Sequence, residues 1–221
     1  MSLFISFEGP EGSGKTTQCG QLVDHMTSLG FSVVQTREPG GTAIGRRIRS
    51  LLLDKNDTDI GPLAEFLLFS ASRAQLVREV IRPQLDRGGV VVCDRFFDSS
   101  LAYQGYGHGL DLANLRQITS LATGGLSPDL TFLLDIDPEV GLCRRVENGM
   151  QSNRMDSYDL MFHERARKGF LELASGGGRW VTLDARENPE TVGDEIRRWT
   201  MQLIGNEQIG VRIRDHDSGE A

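Results

Sequence analysis

Directly after the apolar run LFISF the chain reads EGPEGSGKTTQ, from Glu8 to Gln18. Within it, Gly9, four further residues and then Gly14, Lys15 and Thr16 satisfy G-x-x-x-x-G-K-[ST], a spacing whose backbone N–H groups cradle phosphates. Each residue type has a physical reason. Glycines lack a Cβ, so the turn reaches positive φ and its amides approach a polyphosphate closely. Lys15 adds a point charge and Thr16 a hydroxyl suited to Mg²⁺. Leu3 to Phe7 reads as a short buried strand and Thr16 to Leu29 as a helix ending at Gly30, so the helix N-terminus points at the phosphates.

Four more segments carry chemistry. REPGGT, Arg37 to Thr42, sets Arg37, Glu38 and Pro39 after a second strand, where a Pro-Gly-Gly turn is the plainer explanation of the glycines. VVVCDRFFDSSLAYQG, Val90 to Gly105, ends an apolar strand in Asp94, a carboxylate suited to Mg²⁺ beside a phosphate loop, followed by Arg95. LLFSASR places Phe69 and Arg73 at i, i+4 on one helical face, either a core ring with a surface cation or a platform on which a base stacks while the guanidinium donates to it. The charged stretch Arg144 to Lys168 reads as a solvated helix face or, about 144–156, as a mobile lid bringing cations to a transferring phosphoryl group.

These segments need a scaffold. Apolar β-rich runs recur at Leu3–Phe7, Ser32–Thr36, Val90–Cys93, Leu130–Asp135 and Trp180–Leu183, separated by stretches of helical periodicity. That alternation predicts an α/β domain with a five-stranded parallel sheet flanked by helices. In such a sheet ligands collect beyond the carboxyl ends of the strands, where the segments above fall. A long helix begins at Gly61-Pro62 and closes at DRGG, with Pro83 expected to kink or break its last turns. One domain over 1–205 and a mobile tail over 206–221 account for the length of 221 residues.

Composition narrows the function. A net charge of −7 with scattered basic residues argues against a nucleic-acid surface. Twenty-one arginines stand against three lysines, a bias that suits bidentate phosphate binding. Cys19, Cys93 and Cys143 are odd in number and widely spaced, so they read as reduced thiols. No apolar run approaches the ~18 residues of a membrane span and no signal-peptide start is seen, which predicts a cytoplasmic protein.

Taken together, FEGPEGSGKTTQ, REPGGT, LLFSASR, DRFFDSSLAYQG, PDLTFLLDID and NRMDSYDLMFHERARKGFLEL resemble, in order, the bacterial thymidylate kinase family of nucleoside monophosphate kinases. The resemblance implies a P-loop three-layer fold, Mg²⁺-dependent transfer of the ATP γ-phosphoryl group to dTMP in dTTP synthesis, and a homodimer. It implies that Gly9, Pro10, Glu11, Gly12, Ser13, Gly14, Lys15, Thr16 and Thr17, with Arg144, hold ATP. For dTMP it points to Glu11 at the 3′-hydroxyl, Phe69 stacking on thymine, and Arg73 and Gln104 at its edge. It also implies Glu38 and Pro39 for dTMP, Arg37, Arg95 and Ser99 or Ser100 as neighbours of the monophosphate, and Tyr103 beside the sugar. It implies Thr16 and Asp94 for the metal and Lys15, Arg95 and Arg154 in catalysis, with Arg144 and Arg145 weaker lid candidates that could instead meet ATP.

Two positions depart from common family patterns. Phe96 stands where many members have tyrosine, and Gly12 where some carry a loop arginine, which assigns the catalytic arginine to the lid. The alternative activity is a kinase for another deoxynucleoside monophosphate such as dUMP. A GTP-dependent switch is disfavoured: the one D-x-x-G is DRGG, Asp86 to Gly89, before a strand, and no N-K-x-D occurs.

Overall fold

The computed structural model describes residues 2–54, 60–149 and 153–217, with side chains described through residue 205. Five strands, β1 (Leu3–Glu8), β2 (Val33–Arg37), β3 (Val90–Asp94), β4 (Leu130–Asp135) and β5 (Trp180–Asp184), form one sheet in the order β2-β3-β1-β4-β5. All four pairings are parallel. Each strand lies within one residue of its sequence expectation.

Mostly apolar, buried side chains on successive residues of β1, β3 and β4 suit the centre of a sheet covered on both faces. Leu3, Ile5 and Phe7 of β1 pack with Val90, Val92, Phe132 and Leu134 beneath α1 (Lys15–Ser28) and α9 (Pro189–Asp217). Phe4, Val91 and Cys93 face the other way, toward Leu76, Val77, Ile81 and Phe96. Burying a side chain of this size contributes roughly 1.5–3 kcal/mol, so the central strands are the stable frame from which the site is hung. Ser6, inside that frame, pairs with Thr131 Oγ1 at 2.8 Å.

The remaining helices are α2 (Ala43–Leu53), α3 (Pro62–Leu76), α4 (Arg82–Asp86), α5 (Phe97–Ser100), α6 (Leu112–Thr123), α7 (Pro138–Glu147) and α8 (Leu160–Ser175). Pro83 does not end the long helix: a π-helical turn, Val77–Ile81, joins α3 to α4 and helical backbone runs on to Asp86. A widened turn accommodates the proline ring and the hydrogen bond it cannot donate. A second π-helical segment, Leu101–Gly107, continues α5. Beyond residue 205, the backbone of α9 stays helical to Asp217. Residues 150–152 of the expected lid and 218–221 of the expected tail lie outside the described residues. Cys19 and Cys93 are buried free thiols and Cys143 an exposed one.

Candidate active site

Where the strands end, a cavity of about 700 Å³ opens. Its walls come from the phosphate loop, the β2 end, α2, α3, the β3 end with the π segment, and Arg145, Asn148, Asn153 and Met155. Lys15 and five arginines (Arg37, Arg49, Arg73, Arg95, Arg145) line it against three carboxylates (Glu11, Glu38, Asp94). So cationic a wall is built for polyanions.

The loop's conformation is forced by packing. Gly12 has φ +71°, and a Cβ there would stand 2.0 Å from the Gly141 carbonyl oxygen of α7. No other residue fits, which also closes off an arginine at this position. Lys15 Nζ donates to Gly9 O (3.0 Å), Pro10 O (2.6 Å) and Ser13 Oγ (3.0 Å). Burial, with Arg95 nearby, lowers its pKa to about 7, an ammonium that gains strongly from any anion beside it.

At the β3 end, Thr16 Oγ1 donates to Asp94 Oδ2 at 2.5 Å, and Arg37 Nη2 lies 3.6 Å from the same oxygen. One hydroxyl and one carboxylate are the hard-oxygen donors Mg²⁺ takes when phosphates and water fill its other positions. Among the described residues no group of three or more His, Cys, Asp or Glu forms a protein cage for a metal. The donor set therefore fits Mg²⁺ arriving with phosphates.

Arg95 is the hub. It adopts φ +71°, a left-handed conformation that costs a non-glycine residue about 1–2 kcal/mol. Its N–H donates to Phe7 O at 2.9 Å. The guanidinium donates to Gly9 O, Ser99 Oγ and Glu11 Oε1, each at 3.0 Å, and sits 5.3 Å from the centre of the Tyr103 ring. Tyr103 Oη donates to Glu11 Oε2 at 2.6 Å. Burial alone would raise the Glu11 carboxyl, but Arg95, His163, Lys15 and Tyr103 together hold it well below the usual range. Glu11 is thus an ionised acceptor.

Across the cavity Phe69 and Arg73 line one wall, as their i, i+4 spacing requires. Arg73 is 1% exposed, donating through Nε to Glu38 Oε2 and through Nη2 to Ser100 Oγ, both at 2.8 Å. Its Nη1 and Glu38 Oε1 are buried without a protein partner. Burial pushes Glu38 up to about 7, only partly offset by Arg73. Gln104 also lines the wall and donates to Glu65 Oε1 at 2.7 Å.

Of the expected residues, Glu11, Gly12, Gly14, Lys15, Thr16, Thr17, Arg37, Glu38, Pro39, Phe69, Arg73, Asp94, Arg95, Ser99, Ser100, Tyr103 and Gln104 meet at this cavity. Gly9, Pro10 and Ser13 stand behind it, supplying acceptors to Lys15. Arg144 donates to Ala185 O at 2.8 Å, away from the wall. Arg154 does not line the cavity: it is bound to Glu65, Tyr158 and Leu52 O, whereas Arg145 does line it, paired to Asp156 at 2.9 Å. The reason is electrostatic, since a fully buried carboxylate at Glu65 claims the nearer guanidinium.

Sequence reasoning missed Arg49 on the cavity wall and, behind it, Glu8. Glu8 ends β1 fully buried, accepting from Phe96 N (2.7 Å) and Ser99 Oγ (2.5 Å) and so fixing the turn that carries Arg95. Burial and then Asp98 raise it to about 8. An acid closing an otherwise apolar strand was the available signal.

A phosphate loop at the end of the central strand, a strand-end Asp beside its Thr, and a cationic cleft define a P-loop enzyme of phosphoryl transfer. The thymidylate kinase family model matches residues 7–196. The chain is 52% identical over 208 residues to a thymidylate kinase of Roseiflexus sp. (strain RS-1), covering 89% of this chain and 92% of that one. It is 55% identical over 195 residues to one from Deinococcus radiodurans, covering 88% and 94%. The crystal structure of thymidylate kinase from Ehrlichia chaffeensis superposes with a TM-score of 0.69 at 35% identity, over 82% of this chain and 92% of that one. The chain belongs to the thymidylate kinase family.

Proposed function

We propose that the chain's thymidylate kinase activity, phosphorylation of dTMP to dTDP with ATP, takes place in this cavity with the following division of work. The phosphate loop and Lys15 hold the ATP phosphates. Thr16 and Asp94 hold Mg²⁺, which, when bound, neutralises charge on the phosphate oxygens. Arg95 and Arg37 take the dTMP phosphate, Phe69 stacks on the base, and Arg73 Nη1 and Gln104 face its edge. Glu11, kept ionised, accepts from the 3′-hydroxyl, and Tyr103 packs against the sugar.

The observation that carries this reading is Arg95 poised between Gly9 O of the phosphate loop and Ser99 of the acceptor side. Phosphoryl transfer asks mainly for two repelling anions to be held in line, and a guanidinium touching both walls supplies that. The acceptor is already an anionic oxygen, so no general base is required. In the described conformation Arg145, rather than Arg154, is the cation that the 144–156 segment offers.

Exposed leucines on neighbouring helices, Leu63 and Leu67 of α3 and Leu121 of α6, support assembly as a homodimer. Among the described residues no helix is long and apolar enough to cross a membrane. The testing experiment is a coupled ADP-release assay over dTMP, dUMP and dCMP with ATP and GTP as donors. Fastest turnover of dTMP with ATP is expected; a preference for dUMP or dCMP would sink the base assignment.

A further inference from the structure

Glu65 lies in the first turn of α3, four residues before Phe69, yet its side chain is fully buried and does not line the cavity. A buried carboxylate is tolerated only when partners satisfy it. Here the partners divide by oxygen. Oε1 accepts from Gln104 Nε2 (2.7 Å), with His108 Nε2 at 3.4 Å. Oε2 accepts from Arg154 Nη2 and from Tyr158 Oη (3.1 Å). Burial would raise this carboxyl, but His108 beside it and the hydrogen bonds from Arg154 and Gln104 keep it low.

Each side leads to the cavity. Gln104 is on its wall. Arg154 is further clamped to the end of α2, its Nε donating to Leu52 O (2.8 Å) and its N–H to Leu53 O (3.3 Å). That clamp sets its neighbours Asn153 and Met155, both on the wall. Next in sequence, Asp156 accepts from Asn153 N and from Arg145 Nη2, each at 2.9 Å. One carboxylate therefore stands between the side chain facing the acceptor base and the segment that orients Arg145.

We propose that Glu65 is a positioning residue for phosphoryl transfer: it fixes Gln104 through one oxygen and, through Arg154 on the other, the segment 153–156 that places Arg145. The assignment rests on the reading of the cavity given above. Arg154 then works by holding the segment, not by touching a phosphate.

A double-mutant cycle tests this, using Glu65→Gln, Arg154→Met and both together, assayed for kcat and for KM of dTMP per folded enzyme. A lost charged hydrogen bond predicts a fall in kcat of about ten- to a hundredfold for Glu65→Gln, with KM for dTMP raised through Gln104. Arg154→Met is expected to lower kcat by a similar factor and leave that KM near wild type. The double variant should be no worse in kcat than Glu65→Gln alone. Multiplying losses would put Arg154 on a substrate independently and overturn the proposal, as would unchanged kcat in Glu65→Gln. If circular dichroism shows that Glu65→Gln does not fold, the same cycle is run with Glu65→Asp, which keeps the charge on a shorter arm. Wild-type turnover of dTMP bears on the proposed reaction alone, so failure of either idea is distinguishable.

Discussion

In the phosphate loop Lys15 is held by Gly9 O, Pro10 O and Ser13 Oγ, all within six positions of it in the chain. Across the cavity, Arg154 is held by Glu65, 89 positions away, and Arg145 by Asp156. The first cation is placed by a backbone whose glycines permit one shape. The second pair is placed by side-chain ions whose partners come from another element. Local backbone constraint makes a site that tolerates almost no substitution and is readable as a motif, while long-range pairing makes one whose geometry depends on which carboxylate wins.

The largest effect should follow from removing the loop's charge. Lys15→Ala is expected to lower kcat about 10²–10³-fold, the usual cost of one preorganised electrostatic donor. Near-normal kcat with dTMP and ATP would mean that the loop backbone alone neutralises the phosphates. The contrast would then collapse.

Next come two glycines in the same loop. Gly12 and Gly14 both have positive φ, but a Cβ at Gly12 meets Gly141 O at 2.0 Å whereas one at Gly14 meets nothing within 4 Å. Gly14→Ala should cost about 1 kcal/mol of backbone strain and roughly 2–4 °C in Tm. Gly12→Ala adds overpacking of about 1–3 kcal/mol or more, for a loss several times larger. Thermal melts of both variants decide it, equal shifts showing that α7 simply moves aside.

On the pairing side, Arg145→Ala should lower kcat about ten- to a hundredfold, with little change in KM for dTMP, if its charge is needed mainly in the transition state. A rise in KM for ATP at constant kcat would instead make it a ground-state ligand. That outcome would sharpen the comparison by leaving the transition-state charge to Lys15 at the start of α1 and Arg95 after β3.

The same division explains what could be read from the chain. All five strands and the phosphate loop are visible because continuous apolar runs and fixed glycine spacing are local properties. Phe69 with Arg73, and Asp94 with Thr16, meet at the cavity because a helical face or a strand end dictates direction. Arg154 stands off the cavity wall beside Glu65, a pairing that a sequence does not show although it shows the charge. Glu8 and Arg49 escaped for the same reason: their roles exist only once β1, α2 and the β3 turn are brought together. Pro83 signalled disruption, and a π-helical turn absorbed it.

The smallest effect concerns Glu8, the buried support of the Arg95 turn, and it is read through pH. Burial and Asp98 raise its pKa from 4.5 to about 8 in the folded protein. The native state therefore binds more protons than the unfolded one between those values. Its contribution to stability is fully present below the unfolded pKa and is lost as pH rises through about 8. Lys15, lowered to about 7, and Glu38, raised to about 7, titrate nearby, but both remain in a Glu8→Gln variant and largely cancel in the difference. Tm of wild type minus Tm of Glu8→Gln should thus decline steadily from pH 5 to pH 8. Parallel curves would show that Glu8 is ionised throughout, held by Arg95 and Ser99, and that the acceptor-side turn is an ion-pair construction like the Glu65 cluster, not an extension of the apolar strand that ends in it.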